Sequence, residues 1–186
     1  MIHFYDCARL PVSRWRNGGG ETREIISFPP GQADFAWRAS IATLAHDGDF
    51  SLFPGIDRII TLLDGDGVAL YGDGQLRQQL QPNQPFAFTG EEPIAARLSA
   101  GPSRDFNIMS RRESHSASAG VTRKPFSPLS SCAGVVYVLE GEWQHPQVRL
   151  SAGQGAWWES DDGSFTPLSP DALLLWGSIA AISHAP

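Results

Sequence analysis

Leu62-Leu63-Asp64-Gly65-Asp66-Gly67 is answered 76 residues later by Val138-Leu139-Glu140-Gly141-Glu142-Trp143; in each, two apolar residues lead to an acid, a glycine and a second acid. A Leu-x-x-x-Gln stretch follows each copy, Leu80 to Gln84 and Leu150 to Gln154, and then an aromatic run, Phe86-Ala87-Phe88 or Trp157-Trp158. Gly65 to Gln84 spans 19 positions and Gly141 to Gln154 spans 13, a difference that a hairpin loop absorbs at little entropic cost. The pattern predicts a duplicated half-domain.

Outward from these turns, segments fitting strands recur between Gly, Pro, Asn and Asp. They are Glu21 to Phe28, Phe35 to Leu44, Arg58 to Asp64, Gly67 to Tyr71, Pro85 to Thr89, Ala95 to Ser99 and Arg104 to Arg111. After a loop from Glu113 to Arg123 come Gly134 to Glu140, Gln147 to Leu150, Ala156 to Glu159, Ser164 to Leu168 and the apolar run Ala172 to Ile182. Short helices are expected only at Asp57 to Ile59 or near Leu10 to Arg14. With 19 Gly and 14 Pro in 186 residues, strands this short and this regularly punctuated predict an all-β chain, a sandwich or barrel.

Hydrophobic residues make up 41% of the chain and charged ones 18%, enough apolar surface for a proper core without staples or metal. The net charge of −6 with scattered basic residues argues against nucleic acid, whose phosphates need a clustered Lys/Arg surface. No run approaches eighteen apolar residues, and Met1-Ile2-His3-Phe4-Tyr5-Asp6 lacks the start of a signal peptide, so no membrane partner is expected and the cytoplasm is the expected compartment. Cys7 and Cys132 are too few for a disulfide scaffold. Of the 14 basic residues only Lys124 is lysine; the arginine bias reads as nucleotide composition, so only individually placed arginines bear on binding.

The apolar-acid-Gly turn followed by Leu-x-x-Gly/Asn-Gln resembles the core of cupins, small double-sheet jelly rolls, and two copies imply a bicupin. Four blocks in order carry a more specific resemblance: Trp15-Arg16-Asn17-Gly18-Gly19-Gly20-Glu21-Thr22-Arg23-Glu24, Trp37-Arg38-Ala39-Ser40-Ile41-Ala42, Phe50-Ser51-Leu52-Phe53-Pro54-Gly55-Ile56-Asp57-Arg58 and Asp105-Phe106-Asn107-Ile108-Met109. Together they look like the HutD/Ves family. The resemblance implies two fused cupin-like jelly-roll barrels, residues 1–112 and 113–186, with the N-terminal strands packing into either half. It also implies a non-catalytic role linked to regulation of histidine utilisation through a small bound metabolite, or, on the Ves side, a stress-related protein without a ligand. A homodimer is expected from the resemblance alone.

Metal-dependent cupins converge paired histidines and a carboxylate on one ion. Here His3, His46, His115, His145 and His184 are isolated and read as surface or loop residues, so no metal and no cofactor is expected. Strand parity suggests another site. Arg38 and Ser40 share a face with Ala36 and Ala42, away from Phe35, Trp37 and Ile41. Asp105 and Asn107 share a face with Met109, and Thr22 and Glu24 are placed with Ile26. Converging, these faces give a cavity whose floor is Arg38, oriented by Glu24 or Asp105, and which fits a carboxylate of the formylglutamate, urocanate or formate class. The same alternation also suits a half-solvated strand with a structural salt bridge. Arg58 either lines the cavity mouth or caps its strand, and Phe50 and Phe53 either fill the core or border the pocket. Asn17, before three glycines, bonds backbone or ligand; without a P-loop ending the segment does not read as a nucleotide site.

No nucleophile elbow or reactive cysteine context occurs, and no catalytic residue is assigned. The reading is a small-carboxylate binding protein; the alternatives are a metal-independent enzyme acting on such an acid and a protein with no ligand.

Overall fold

Gly65 and Gly141, at the centres of the two echoing turns, both have left-handed backbones, with φ of 112° and 70°. A side chain at either would strike the chain alongside, Ser103 in one case and Ala172 in the other. The computed structural model describes residues 1–160 and 163–183; His184 lies outside them.

In chain order the strands are β1 (Ile2–Asp6), β2 (Val12–Arg14), β3 (Gly20–Phe28), β4 (Trp37–Leu44), β5 (Gly48–Asp49) and β6 (Ile56–Asp64). Then come β7 (Val68–Gly72), β8 (Gln75–Leu80), β9 (Phe86–Thr89), β10 (Ile94–Leu98), β11 (Ser103–Arg111) and β12 (His115–Thr122). The remainder are β13 (Ala133–Glu140), β14 (Glu142–His145), β15 (Val148–Ser151), β16 (Gln154–Trp158), β17 (Thr166–Pro167) and β18 (Leu173–Ala181). A six-stranded sheet, β2-β3-β4-β11-β6-β9, faces a four-stranded one, β5-β10-β7-β8, across an apolar cluster that includes Leu44, Ile60, Leu70 and Ile94. The five-stranded sheet β1-β16-β13-β18-β12 and the three-stranded β15-β14-β17 enclose Val138, Trp143, Trp158 and Phe165. The fold is the expected all-β bicupin, two jelly-roll barrels in one chain.

The duplication is visible strand for strand. β6 pairs with β9 and β11, and β13 pairs in the same way with β16 and β18. Inside the Leu-x-x-x-Gln stretches, Asn83 (φ 61°) and Gly153 (φ 87°) make the same left-handed turn, which Asn and Gly tolerate best. Their N–H groups donate to equivalent carbonyls, Asn83 to Leu62 at 2.8 Å and Gly153 to Val138 at 3.0 Å.

A third cluster joins the barrels. Trp37, Ala39 and Ile41 of β4 and Phe106 and Ile108 of β11 pack against Val135 and Tyr137 of β13 and Leu175 and Ile179 of β18. The Phe106 and Tyr137 ring centroids lie 5.8 Å apart. Gly177 has no side chain because a Cβ there would come within 2.4 Å of Ile108.

Several expectations are corrected. The segment Glu113 to Arg123 is not a loop: β12 runs through it, registered along β18 from His115 opposite Ala181 to Thr122 opposite Leu174. Its Ser, Ala and Gly residues carry little hydrophobic signal, and at Gly120 the Trp176 ring takes the place of a side chain. Asp57 to Ile59 is strand, as are Val12 to Arg14, and the helical turn is a 3-10 turn at Cys7–Arg9 capped by Asp6. β1 pairs with β16, so the chain's first strand belongs to the sheet of the second barrel. His145 is buried rather than superficial, packed on Phe165 with ring centroids 5.1 Å apart.

Replacing Phe106 by Ala is expected to cost about 3–5 kcal/mol in urea unfolding, the range for emptying a buried aromatic site. Because both barrels share that core, tryptophan fluorescence and far-UV circular dichroism should still trace one transition; two separated transitions would mean that the barrels unfold independently.

Candidate functional site

The residues of β4 and β11 that do not enter the inter-barrel core point the other way, as a pleated strand requires. Asn107 is registered opposite Ser40, Met109 opposite Arg38 and Asp105 opposite Ala42. On the flanks, β6 sets Arg58 opposite Met109, and β3 sets Thr22 opposite Ala42. These side chains line a cavity of about 520 Å³ in the first barrel. Nine of the ten residues singled out from sequence line it: Asn17, Thr22, Arg38, Ser40, Phe50, Phe53, Arg58, Asp105 and Asn107. Glu24 does not; it lies at the rim and accepts a hydrogen bond from Arg38 Nε at 3.0 Å.

Ile26 is not on the face of Thr22 and Glu24. A β-bulge between Glu24 and Ile26 shifts the register, and Ile26 pairs with Ala39 and enters the inter-barrel core.

The two arginines exchange the places expected of them. Arg38, expected as the floor, keeps 24% of its side chain exposed and is held by Glu24. Arg58 is the buried one, 7% exposed. Its guanidinium carbon lies 4.8 Å from the centroid of Phe88 and 5.3 Å from those of Phe50 and Phe53, an aromatic enclosure that favours a cation. One terminal nitrogen reaches Asn107 Oδ1 at 3.4 Å, whereas the buried Nε has no partner. Burial lowers the Arg58 pKa to about 10, against the pull of Asp105, so it stays charged at neutral pH.

Asp105 is 1% exposed. Asn107 donates its amide to Oδ1 in a short contact, while the buried Oδ2 has no partner. Loss of hydration pushes the Asp105 pKa up to about 7, and the hydrogen bond from Asn107 and the charge of Arg58 only partly oppose this. Asn107 thus bridges the acid and the guanidinium, and two buried polar atoms, Arg58 Nε and Asp105 Oδ2, are left for a partner from outside.

Two loops close the rim. Trp15 lines the cavity and donates through its indole N–H to Thr22 Oγ1 at 2.8 Å. Asn17 spends its side-chain oxygen on the N–H of Gly19, 2.8 Å away, so the glycine turn claims that acceptor and only its amide N–H groups remain for a ligand. Gly20 is obligatory, since a Cβ there would lie 2.3 Å from the Thr43 carbonyl. Phe50 and Phe53 are pinned by backbone bonds to Ile94 and Gly90. Trp15, Arg14, Arg16, Asp49 and Met109 also line the cavity, and none of them is among the site residues singled out from sequence; the Trp15-Arg16-Asn17 block is the signal for the first and third, and the shared face of Asp105, Asn107 and Met109 for the last. Four arginines, Arg14, Arg16, Arg38 and Arg58, are therefore among the residues lining the cavity, against two acidic residues, Asp49 and Asp105. Among the described residues no three His, Cys, Asp or Glu side chains cluster as a metal ion would require.

Known proteins share this architecture. The model of the HutD family matches residues 7–175. Protein Ves of Cronobacter sakazakii (strain ATCC BAA-894) is 44% identical over 179 residues, covering 96% of this chain and 98% of that protein. The structure of HutD from Pseudomonas fluorescens SBW25, obtained in a formate condition, shares 29% identity over 98% of this chain and 100% of its own, with a TM-score of 0.84. A bacterial pirin from Escherichia coli, solved with nickel(II), is similar in fold alone: 12% identity, 98% and 100% coverage, TM-score 0.68.

A raised carboxyl pKa weakens the folded state where the unfolded chain ionises first. Below about pH 4 Asp105 is protonated in both states and costs nothing; the penalty then grows up to about pH 7 and levels off. Asp105→Asn is therefore expected to gain stability over the native chain from pH 4.5 to pH 8, by up to about 4 kcal/mol, since each tenfold change in proton affinity is worth about 1.4 kcal/mol. Urea unfolding of both proteins at the two pH values checks this; an unchanged difference would show that Asp105 ionises in the folded state as it does in water.

Proposed function

This chain belongs to the HutD family, and on that premise we propose that it is a non-catalytic binding protein for a small organic carboxylate, linked as its HutD relatives' name suggests to the regulation of histidine utilisation. The observation that carries the reading is Arg58: a charged guanidinium, walled by phenylalanines, that lines a cavity with its buried Nε unpartnered. Burying such a cation costs several kcal/mol unless a partner offsets it, and a ligand carboxylate supplies the planar anion that a guanidinium fork matches. Ser40, Thr22 and Asn107 add polar contacts, while Trp15, Phe50 and Phe53 suit an apolar ligand body.

The four arginines, set against one exposed and one buried acid, favour an anion over a neutral ligand. Asp105, poised near neutrality, is the one feature favouring the runner-up, an enzyme needing no metal, because a general acid works best with a pKa near the working pH. No helix among the described residues is long and apolar enough to cross a bilayer.

A thermal-shift panel of histidine, urocanate, formylglutamate and formate tests the proposal. At 100 times its dissociation constant the true ligand stabilises by about 2.7 kcal/mol, a rise of roughly 5–10 °C for a chain of this size. Arg58→Gln should abolish the rise and Arg38→Ala should reduce it. Consumption of the ligand would favour the enzyme, and no response to any carboxylate would contradict the proposal.

A further inference from the structure

Asp105 stands where an incoming carboxylate has to go. It is two residues from Asn107 on the cavity face of β11, Asn107 in turn contacts Arg58, and the charge of Arg58 acts on the Asp105 carboxyl, so an anion held by the Arg58 guanidinium enters the neighbourhood of that carboxyl, whose buried Oδ2 has no partner. The groups around Asp105 can be named from each neighbouring element. β4 offers Ala42, Ser40 and the cation Arg38; β6 offers Leu62 and the cation Arg58; β3 offers Thr22; at the rim β2 adds Arg14, the turn after it Arg16, and β5 the exposed Asp49. Glu24 stays outside, paired with Arg38. Of these cations, Arg58 acts on the Asp105 carboxyl, its charge favouring the ionised form.

Arg58 cannot neutralise two anions at once. A second carboxylate in the same low-dielectric space would face Asp105 with like charge, and two carboxyls sharing a site do not both ionise. We propose that the cavity takes up its carboxylate together with a proton from solvent, which resides on Asp105 Oδ2 and is donated in a hydrogen bond to the ligand oxygen while Arg58 holds the ligand's charge. The inference rests on the carboxylate-binding reading above. The location of the proton follows from the hydrogen bonds: Oδ1 is occupied as an acceptor by the Asn107 amide, and Oδ2 is the buried atom without a partner. Burial already raises Asp105 to about 7, and the added negative charge acts in the same direction. Asp105 thereby becomes a specificity residue, a neutral acid that recognises an anion by donating to it. Binding becomes tied to pH in the neutral range.

The direct test is ¹³C NMR of the aspartate side-chain carboxyls in the full chain, titrated with and without saturating formate or formylglutamate above about pH 5.5, where the ligands' own carboxyls are ionised. The expected result is an Asp105 midpoint raised by at least one pH unit with ligand, and a ligand affinity that falls up to tenfold per pH unit between the free and the ligand-bound midpoints and levels off above them. Asp105→Asn should remove the pH dependence of binding between about pH 6 and pH 9. A midpoint unmoved or lowered by ligand, or a flat affinity in the native chain, would overturn the inference while leaving carboxylate binding intact; a lowered midpoint would mean that ionised Asp105 receives an N–H of the ligand. If neither carboxylate binds at any pH, the carboxylate reading falls and this inference with it. The native-chain titration decides the matter even where the variant fails to fold.

Discussion

The pleat of two adjacent strands governs both the stability of this protein and its cavity. β4 and β11 each present alternate residues to opposite faces, and one set, Trp37, Ala39, Ile41, Phe106 and Ile108, is committed to the core between the barrels. Once that packing fixes the register, the other set has no choice of direction: Arg38, Ser40, Asp105 and Asn107 must face into the first barrel. A slip of one residue would bury the polar set between the sheets and turn the aromatic set into the cavity, which both faces oppose. The inter-barrel core therefore does more than join two halves. It keeps an acid and its amide neighbour in place at the cavity wall, against their preference for water.

What that placement costs is concentrated in the Arg58, Asn107 and Asp105 chain. A neutral amide between a guanidinium and a carboxyl is an incomplete substitute for a direct ion pair, and each charged group keeps one buried atom unsatisfied. The phenylalanine enclosure offsets part of the cost for Arg58 but offers nothing to Asp105, whose carboxyl responds by holding its proton more tightly. Polar atoms left in this condition at the wall of a cavity are what distinguish a binding site from a structural salt bridge, in which partners satisfy one another. Arg38 with Glu24 at the rim is of the second kind.

The fold is legible in the sequence because the duplicated turn leaves the same marks twice: an acid before a left-handed glycine, then Asn83 or Gly153 where the chain turns again. The cavity face is legible in β4 and β11 because they alternate regularly. Three features escape for physical reasons. Two consecutive isoleucines, Ile25 and Ile26, break the period of β3, and a bulge there sends both to the core side. β12 is built of small residues that are half-buried or exposed, with Gly120 against the Trp176 ring, so it writes no apolar pattern. Arg58 reads as a mouth or cap residue by its charge, although its parity matches Ile56, Ile60 and Leu62, all buried. In a barrel that binds something charged, a cation at a core position is a stronger sign than one on a mixed face.

The most direct measurement is a crystal structure of the chain with a bound carboxylate, formylglutamate or formate. The account predicts the carboxylate inside the first barrel, within hydrogen-bond distance of both Arg58 Nε and Asp105 Oδ2. A ligand held only at the rim by Arg14, Arg16 or Arg38, with Arg58 and Asp105 closed on each other beneath it, would contradict the account.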